Sequence, residues 1–171
     1  MKNFLPLLTI ALLVTFTACE KNDNDTSALC NNGILDGKET EIDCGGDCTD
    51  CPPAATFSCT LGVTPFVSTN ATGQILGPSI RINAVDNDGR PMNFMFLPNA
   101  VNQPLPLTSA AFSYLGEPYS KGLNDTGSVT ITGIDTLRRI ISGNFAFSCT
   151  RITNNTQNAA KNGAFANVRY K

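Results

Sequence analysis

The chain has 171 residues, a formal net charge of −2 and no histidine. That length suits one core domain with a small appendage, and the missing imidazole removes the commonest acid–base catalyst and pH switch. Seven cysteines, no Trp and a body rich in Asn, Thr, Ser and Gly fit an exported, β-rich chain.

Met1-Lys2-Asn3 followed by FLPLLTIALLVTF reads as a charged n-region and an apolar h-region too short to span a bilayer stably. An odd cysteine in an exported chain needs its own explanation, and Cys19 is the odd one. The stretch FTAC resembles the lipobox of bacterial lipoproteins, with Phe16 standing where Leu is usual. The resemblance implies that residues 1–18 are a lipoprotein signal peptide and that Cys19 is diacylated as a membrane anchor. The plainer alternative is an ordinary signal peptide cleaved near Ala18. Residues 19–29 are polar without apolar periodicity and read as a tether, with a reach of roughly 17 Å and at most about 35 Å. Lys21, Asp23 and Asp25 resemble the surface-export signal of Bacteroidota lipoproteins. That implies an outer-membrane lipoprotein on the cell surface, the periplasmic face being the alternative.

Cys30 to Cys51 reads CNNGILDGKETEIDCGGDCTDC. Four cysteines with only Ile34, Leu35 and Ile42 as large apolar side chains cannot fold on a core, so cross-links or a metal must hold the segment. An exported chain meets oxidant before free zinc. We therefore expect Cys30, Cys44, Cys48 and Cys51 to form two disulfides among themselves, with three pairings open. The string resembles a small module of exported bacterial proteins, C-x-NG-x-x-D-G-x-ET-x-x-DCGG-x-C-x-x-C, and matches it at every fixed position. Asp36, Glu39, Asp43 and Asp47 are hard oxygen donors on a looped backbone and are candidate calcium ligands. Turn capping and solubility are the other explanation for them. Pro52 to Ala55 form a stiff linker.

From residue 56 to 171 the pattern is short alternating runs broken by Gly, Asn, Asp and Pro. SIRINAV places Ile80, Ile82 and Ala84 on one face, PMNFMFLP places Met92, Phe94 and Phe96, and GSVTITGID places Val129 and Ile131. ISGNFAFSCT adds Phe145 and Phe147, and GAFANVRY adds Phe165 and Val168. Six or seven such strands predict an all-β fold, an antiparallel β-sandwich or open barrel. The prolines of LPNAVNQPLPLTSAAF mark residues 98–110 as a long loop. The tetrapeptide FSCT occurs at Phe57–Thr60 and again at Phe147–Thr150. It predicts neighbouring strands bridged by a Cys59–Cys149 disulfide, worth about 4–5 kcal/mol on the chain-entropy treatment, with two buried free thiols as the alternative.

Three segments at the end of the chain resemble a family of Bacteroidota lipoproteins of unknown function: Gly127–Asp135, Ile141–Phe147 and Asn162–Tyr170. The resemblance implies a β domain on a lipid anchor and carries no catalytic residues. Asp135-Thr136-Leu137 also resembles a short O-glycosylation motif of that phylum, with a plain turn as the simpler account.

Residues 20–51 hold nine Asp/Glu against two Lys, whereas residues 52–171 hold five Asp/Glu against nine Lys/Arg. The basic residues are scattered along the sequence, which argues against a nucleic-acid partner. No G-x-S-x-G elbow occurs, and Asp86, Asp88, Glu117, Asp125 and Asp135 sit in turn-like contexts. The chain is thus expected to be no enzyme and to need no cofactor, with calcium as the one candidate ion. Its expected role is a non-catalytic binding or interaction module for a glycan or protein ligand, reaching the membrane through its lipid. The loop 98–110, Tyr114 and Tyr119 are the candidate contact surface, with core or strand packing as the equal alternative for the two tyrosines. A purely structural envelope component, or a glycan-active enzyme built on a carboxylate pair, are the alternatives.

Overall fold

The computed structural model describes residues 29–30 and 32–171. The signal peptide, Cys19 and the tether through residue 28 lie outside the described residues. The rest is all-β. After the cysteine module, β1 (Thr56–Leu61) and β2 (Thr64–Ser68) form a hairpin. They are followed by β3 (Thr72–Leu76), β4 (Ser79–Val85), β5 (Pro91–Phe96) and β6 (Pro104–Tyr114). The chain finishes with β7 (Glu117–Ser120), β8 (Gly127–Asp135), β9 (Ile140–Thr150) and β10 (Gln157–Arg169). Every pairing between these strands is antiparallel, in the order β2-β1-β10-β9-β7-β6-β5-β4-β3.

Two features curl this sheet into a nearly closed barrel. β7 and β8 share one slot between β6 and β9. β8 pairs with the first residues of β6 (Leu105 opposite Val129), while β7 pairs with the last (Phe112 opposite Tyr119). β10 runs past the start of β1, and its end meets β3 from the far edge of the sheet. Tyr170 bridges Gly73 in parallel, Ile75 N donates to Lys171 O at 2.7 Å, and Lys171 N donates to Gly73 O at 3.2 Å. Only glycine fits at position 73, because a Cβ there would lie 2.5 Å from the Tyr170 Cβ.

The alternation read from the sequence points inward as expected. Ile80, Ile82, Ala84, Met92, Phe94, Phe96, Val129, Ile131, Phe145 and Phe147 are all buried. Phe94 sits at the centre, with the rings of Phe57, Phe96, Phe145, Phe147 and Phe165 at 4.7–6.2 Å between centroids. Such aromatic clusters combine large apolar burial with favourable ring geometry. Phe145 pairs across strands with Gly163, and Phe165 with Gly143. Each ring occupies the space the opposite glycine leaves, so a Cβ at either glycine would fall within 2.8 Å of it. Phe165 and Val168 are both buried although three residues apart. A bulge between them, with Asn167 at φ 54°, resets the alternation.

Three expectations need correction. Residues 98–110 are not one long loop, because β6 begins at Pro104. The prolines are tolerated there because β5 ends at Phe96, opposite Leu107, so Pro104 and Pro106 lie where β6 is an edge on that side. Tyr119 is not an exposed contact residue. It is buried and stacked on Phe112 at 5.2 Å, while Tyr114 packs half-buried over Gly62.

Cys59 and Cys149 form no disulfide; both are buried free thiols. The repeated FSCT did identify two inward-facing strands, but β10 lies between β1 and β9. Two strand spacings are about 10 Å, beyond the roughly 7 Å Cα separation that a disulfide can bridge. Cys149 instead lies 3.5 Å from the Ala110 carbonyl, and Cys59 lies 4.0 Å from the Met92 sulfur.

Candidate binding cleft

The module that flanks the barrel is built without a core. Its disulfides are Cys30–Cys48 and Cys44–Cys51, which resolves the open pairing. Ile34, Leu35 and Ile42 stay exposed, and among the described residues of the module only Asp43 and Cys44 are buried. Asp43 takes a left-handed backbone, φ 59°. Its carboxylate accepts from Asn32 N at 2.8 Å and Gly33 N at 2.9 Å, tying the two ends of the first loop together. Asp36 accepts from the Asn32 side chain at 2.8 Å, and Glu39 accepts from Asp36 N while donating its own N–H to the Asp36 carbonyl. A Cβ at Gly46 would lie 1.7 Å from the Lys38 carbonyl, so the chain doubles back there at a contact only glycine permits.

These partners bear directly on calcium. Asp43 faces its own loop amides, Asp47 pairs with Lys38 at 3.2 Å, and Asp36 and Glu39 brace one turn. Asp36, Glu39 and Asp47 line one hollow of about 270 Å³ beside Cys30 and Cys48, while Asp43 lies in a separate cleft. The close groupings of potential ligand atoms among the described residues, around Glu39 and around Glu41, are completed by half-cystine sulfurs that are already bonded. Loop and turn bracing accounts for Asp43 and Glu39 and an ion pair for Asp47, whereas Asp36 Oδ1 is buried without a partner.

The module leans on one end of the barrel. Glu41 Oε2 accepts from the Arg169 guanidinium at 2.8 Å, and Arg138 donates to Thr49 Oγ1. Between the two units lies a cleft of about 620 Å³ lined by Asn32, Gly33, Ile42 and Asp43 on the module side. Residues 136–139 of the β8–β9 turn and residues 169–171 beyond it form the other wall. It exceeds the shallow groove of about 390 Å³ across the outside of β8, β9 and β10, and its size lies in the range of small-ligand sites.

Four cations line this cleft: Arg138, Arg139, Arg169 and Lys171. Scattered in sequence, they are gathered because the β8–β9 turn and the end of β10 meet at one barrel mouth. The turn is fixed by Asp135, whose Oδ1 accepts from Leu137 N at 3.0 Å and Arg138 N at 2.9 Å. The Arg139 carbonyl accepts from Tyr170 N at 2.9 Å, which joins turn and strand end. Burial pushes the Tyr170 phenol up, the Arg139 guanidinium pulls it back, and Asp135 adds to the rise. Tyr170 is therefore neutral at physiological pH and adds no negative charge. Leu137 is 76% exposed and Ile42 40% exposed, so the cationic cleft also carries apolar contacts.

The other polar clusters are inward-looking. Asp86 is buried against Arg90, which also donates to the Pro65 carbonyl at 2.9 Å and thereby joins the β4–β5 turn to β2. Asp125 accepts from Gly122 N at 2.8 Å, Gln157 Nε2 at 2.7 Å and Thr150 Oγ1 at 3.0 Å. Burial raises its carboxyl, but hydrogen bonds from Gly122, Gln157, Thr150 and Ser148 outweigh that and hold it below the ordinary range. Cys59 and Cys149 are both pushed up to about 12, chiefly by burial. For Cys59 the Arg90 charge opposes that rise and Asp86 adds to it. For Cys149 the Asp125 charge adds and Lys121 opposes.

No protein-family model matches the chain, and no curated protein or solved structure does. The molecule is a nearly closed antiparallel barrel carrying a disulfide-stapled acidic module over a cationic cleft.

Proposed function

We propose that the chain is a lipid-anchored protein of the outer membrane, displayed at the cell surface and akin to the Bacteroidota lipoproteins it resembles. Its folded part acts as a non-catalytic binding module. The observation that carries this reading is the cleft between module and barrel, where residues from both units form one concave wall. Without histidine, acid–base chemistry would fall to carboxylates. Asp43, Asp86 and Asp125 instead spend their oxygens on internal partners. The two free thiols are buried and held protonated, the opposite of an activated nucleophile. The anchor reading rests on the leader and Cys19, and the ten residues 20–29 would keep the cleft near the membrane surface.

Replacing Cys19 by Ser tests the anchor. The full chain is expected to partition into detergent on phase separation and to be digested by protease added to intact cells. Cys19→Ser is expected in the aqueous phase. A wild-type chain that stays aqueous, or that resists protease until cells are lysed, overturns the reading.

A further inference from the structure

Resting on that binding-module reading, we propose that the cleft receives an acidic segment of a partner protein, with apolar residues interspersed among its carboxylates. The charge balance is the first ground. Arg138, Arg139, Arg169 and Lys171 line the cleft against one acidic side chain of the lining, Asp43, whose oxygens face Asn32 and Gly33 amides. Among the described residues, Arg169 is the only one of the four in an ion pair, with Glu41. Guanidinium groups favour planar carboxylates, which they can grip through two parallel hydrogen bonds.

The second ground is a precedent inside the molecule. The module's own Glu41-Ile42-Asp43 stretch lies along this barrel mouth. Glu41 meets Arg169 at 2.8 Å, and the next side chain, Ile42, enters the lining beside exposed Leu137. An acid followed by an aliphatic residue is thus a sequence that this surface already accommodates. The third ground separates protein from glycan. A sugar ring would be expected to stack on an open aromatic face, and the aromatic residue of the lining, Tyr170, is 7% exposed. The cleft offers aliphatic side chains and forked cations instead.

The test uses the full chain purified in detergent and a fluorescein-labelled octapeptide of alternating Glu and Leu, followed by fluorescence anisotropy. Saturable binding is expected, weakening about tenfold or more as salt rises from low to several-fold above physiological strength. The same peptide with Gln for Glu should not bind. Arg139→Asn combined with Lys171→Gln should weaken binding about tenfold. Asn suits position 139 because the backbone there is left-handed, φ 54°. An unchanged melting temperature shows that the double variant is folded, and Lys171→Gln alone carries the comparison if it is not. Three results overturn the proposal: no saturation at about 1 mM peptide, a weak affinity by any standard; equal binding by the variant; or capture of polygalacturonate with no binding of the peptide. An anchored, surface-exposed chain that ignores the peptide sinks this inference alone. An unanchored chain that binds the peptide sinks the anchor alone.

Discussion

The module and the barrel solve the same folding problem with opposite means. The barrel has no disulfide and buries a continuous core, with Phe94 contacting five other rings. The module has two disulfides and leaves Ile34, Leu35 and Ile42 exposed. A short segment that cannot remove enough apolar surface from water must restrict its unfolded state instead. This contrast explains why the acids of the module are organised as they are. In the absence of a core, Asp36, Glu39 and Asp43 fix the loops by capping backbone and side-chain donors. The barrel's buried acids, Asp86 and Asp125, do the same at turns between strands that already pack well.

The largest effect that separates the two regions should come from Phe94→Ala. It removes the ring at the centre of the core, and a phenylalanine truncation of this kind costs about 3–5 kcal/mol. Chemical denaturation should show the barrel transition moving by that amount while both disulfides stay intact. Reduction is the converse cut. Mild reductant should release the four module cysteines to an alkylating reagent, at a local cost of about 2–4 kcal/mol per bridge. The barrel should keep its far-ultraviolet circular dichroism, and Cys59 and Cys149 should stay unlabelled until denaturant is added. Labelling of all six at once would mean that the two regions fold as one unit. The smallest effect is expected at the seam. Arg169→Gln removes the Glu41 ion pair, and with both side chains substantially exposed the loss should be under about 1 kcal/mol. It should appear as faster protease cleavage near Pro52 rather than as a shift of the barrel transition.

Much of the barrel was legible because burial imposes a period of two. SIRINAV, PMNFMF and GSVTITGID show that period openly, and each is a strand. β2, β3 and β7 are not legible because five, five and four residues give periodicity too little length to register, and β2 and β7 each contain a proline. The prolines of β6 signal a loop because what makes them tolerable, the end of β5 at Phe96, lies outside the run itself. The FSCT repeat revealed two inward faces but not their order, since strand order depends on long-range pairing that local sequence does not encode. The cleft was least legible. Arg138-Arg139 and Arg169-x-Lys171 are ordinary doublets until the end of β10 arrives beside the β8–β9 turn.

That arrival has a consequence for when the molecule can fold. β10 is the seam of the barrel, since it pairs with β1 on one side and β9 on the other, and its end bridges to Gly73 in β3. Phe57 meets Phe165 across more than a hundred intervening residues, and contacts that distant in sequence make folding slow. β1 and β9, both made before β10, wait for it with an open edge. During synthesis the chain therefore stays pliable until its last strand is available, and then the wall closes in one late step. A stall or truncation before residue 157 would leave two unsatisfied edges and an exposed aromatic face, which is the ordinary route to aggregation.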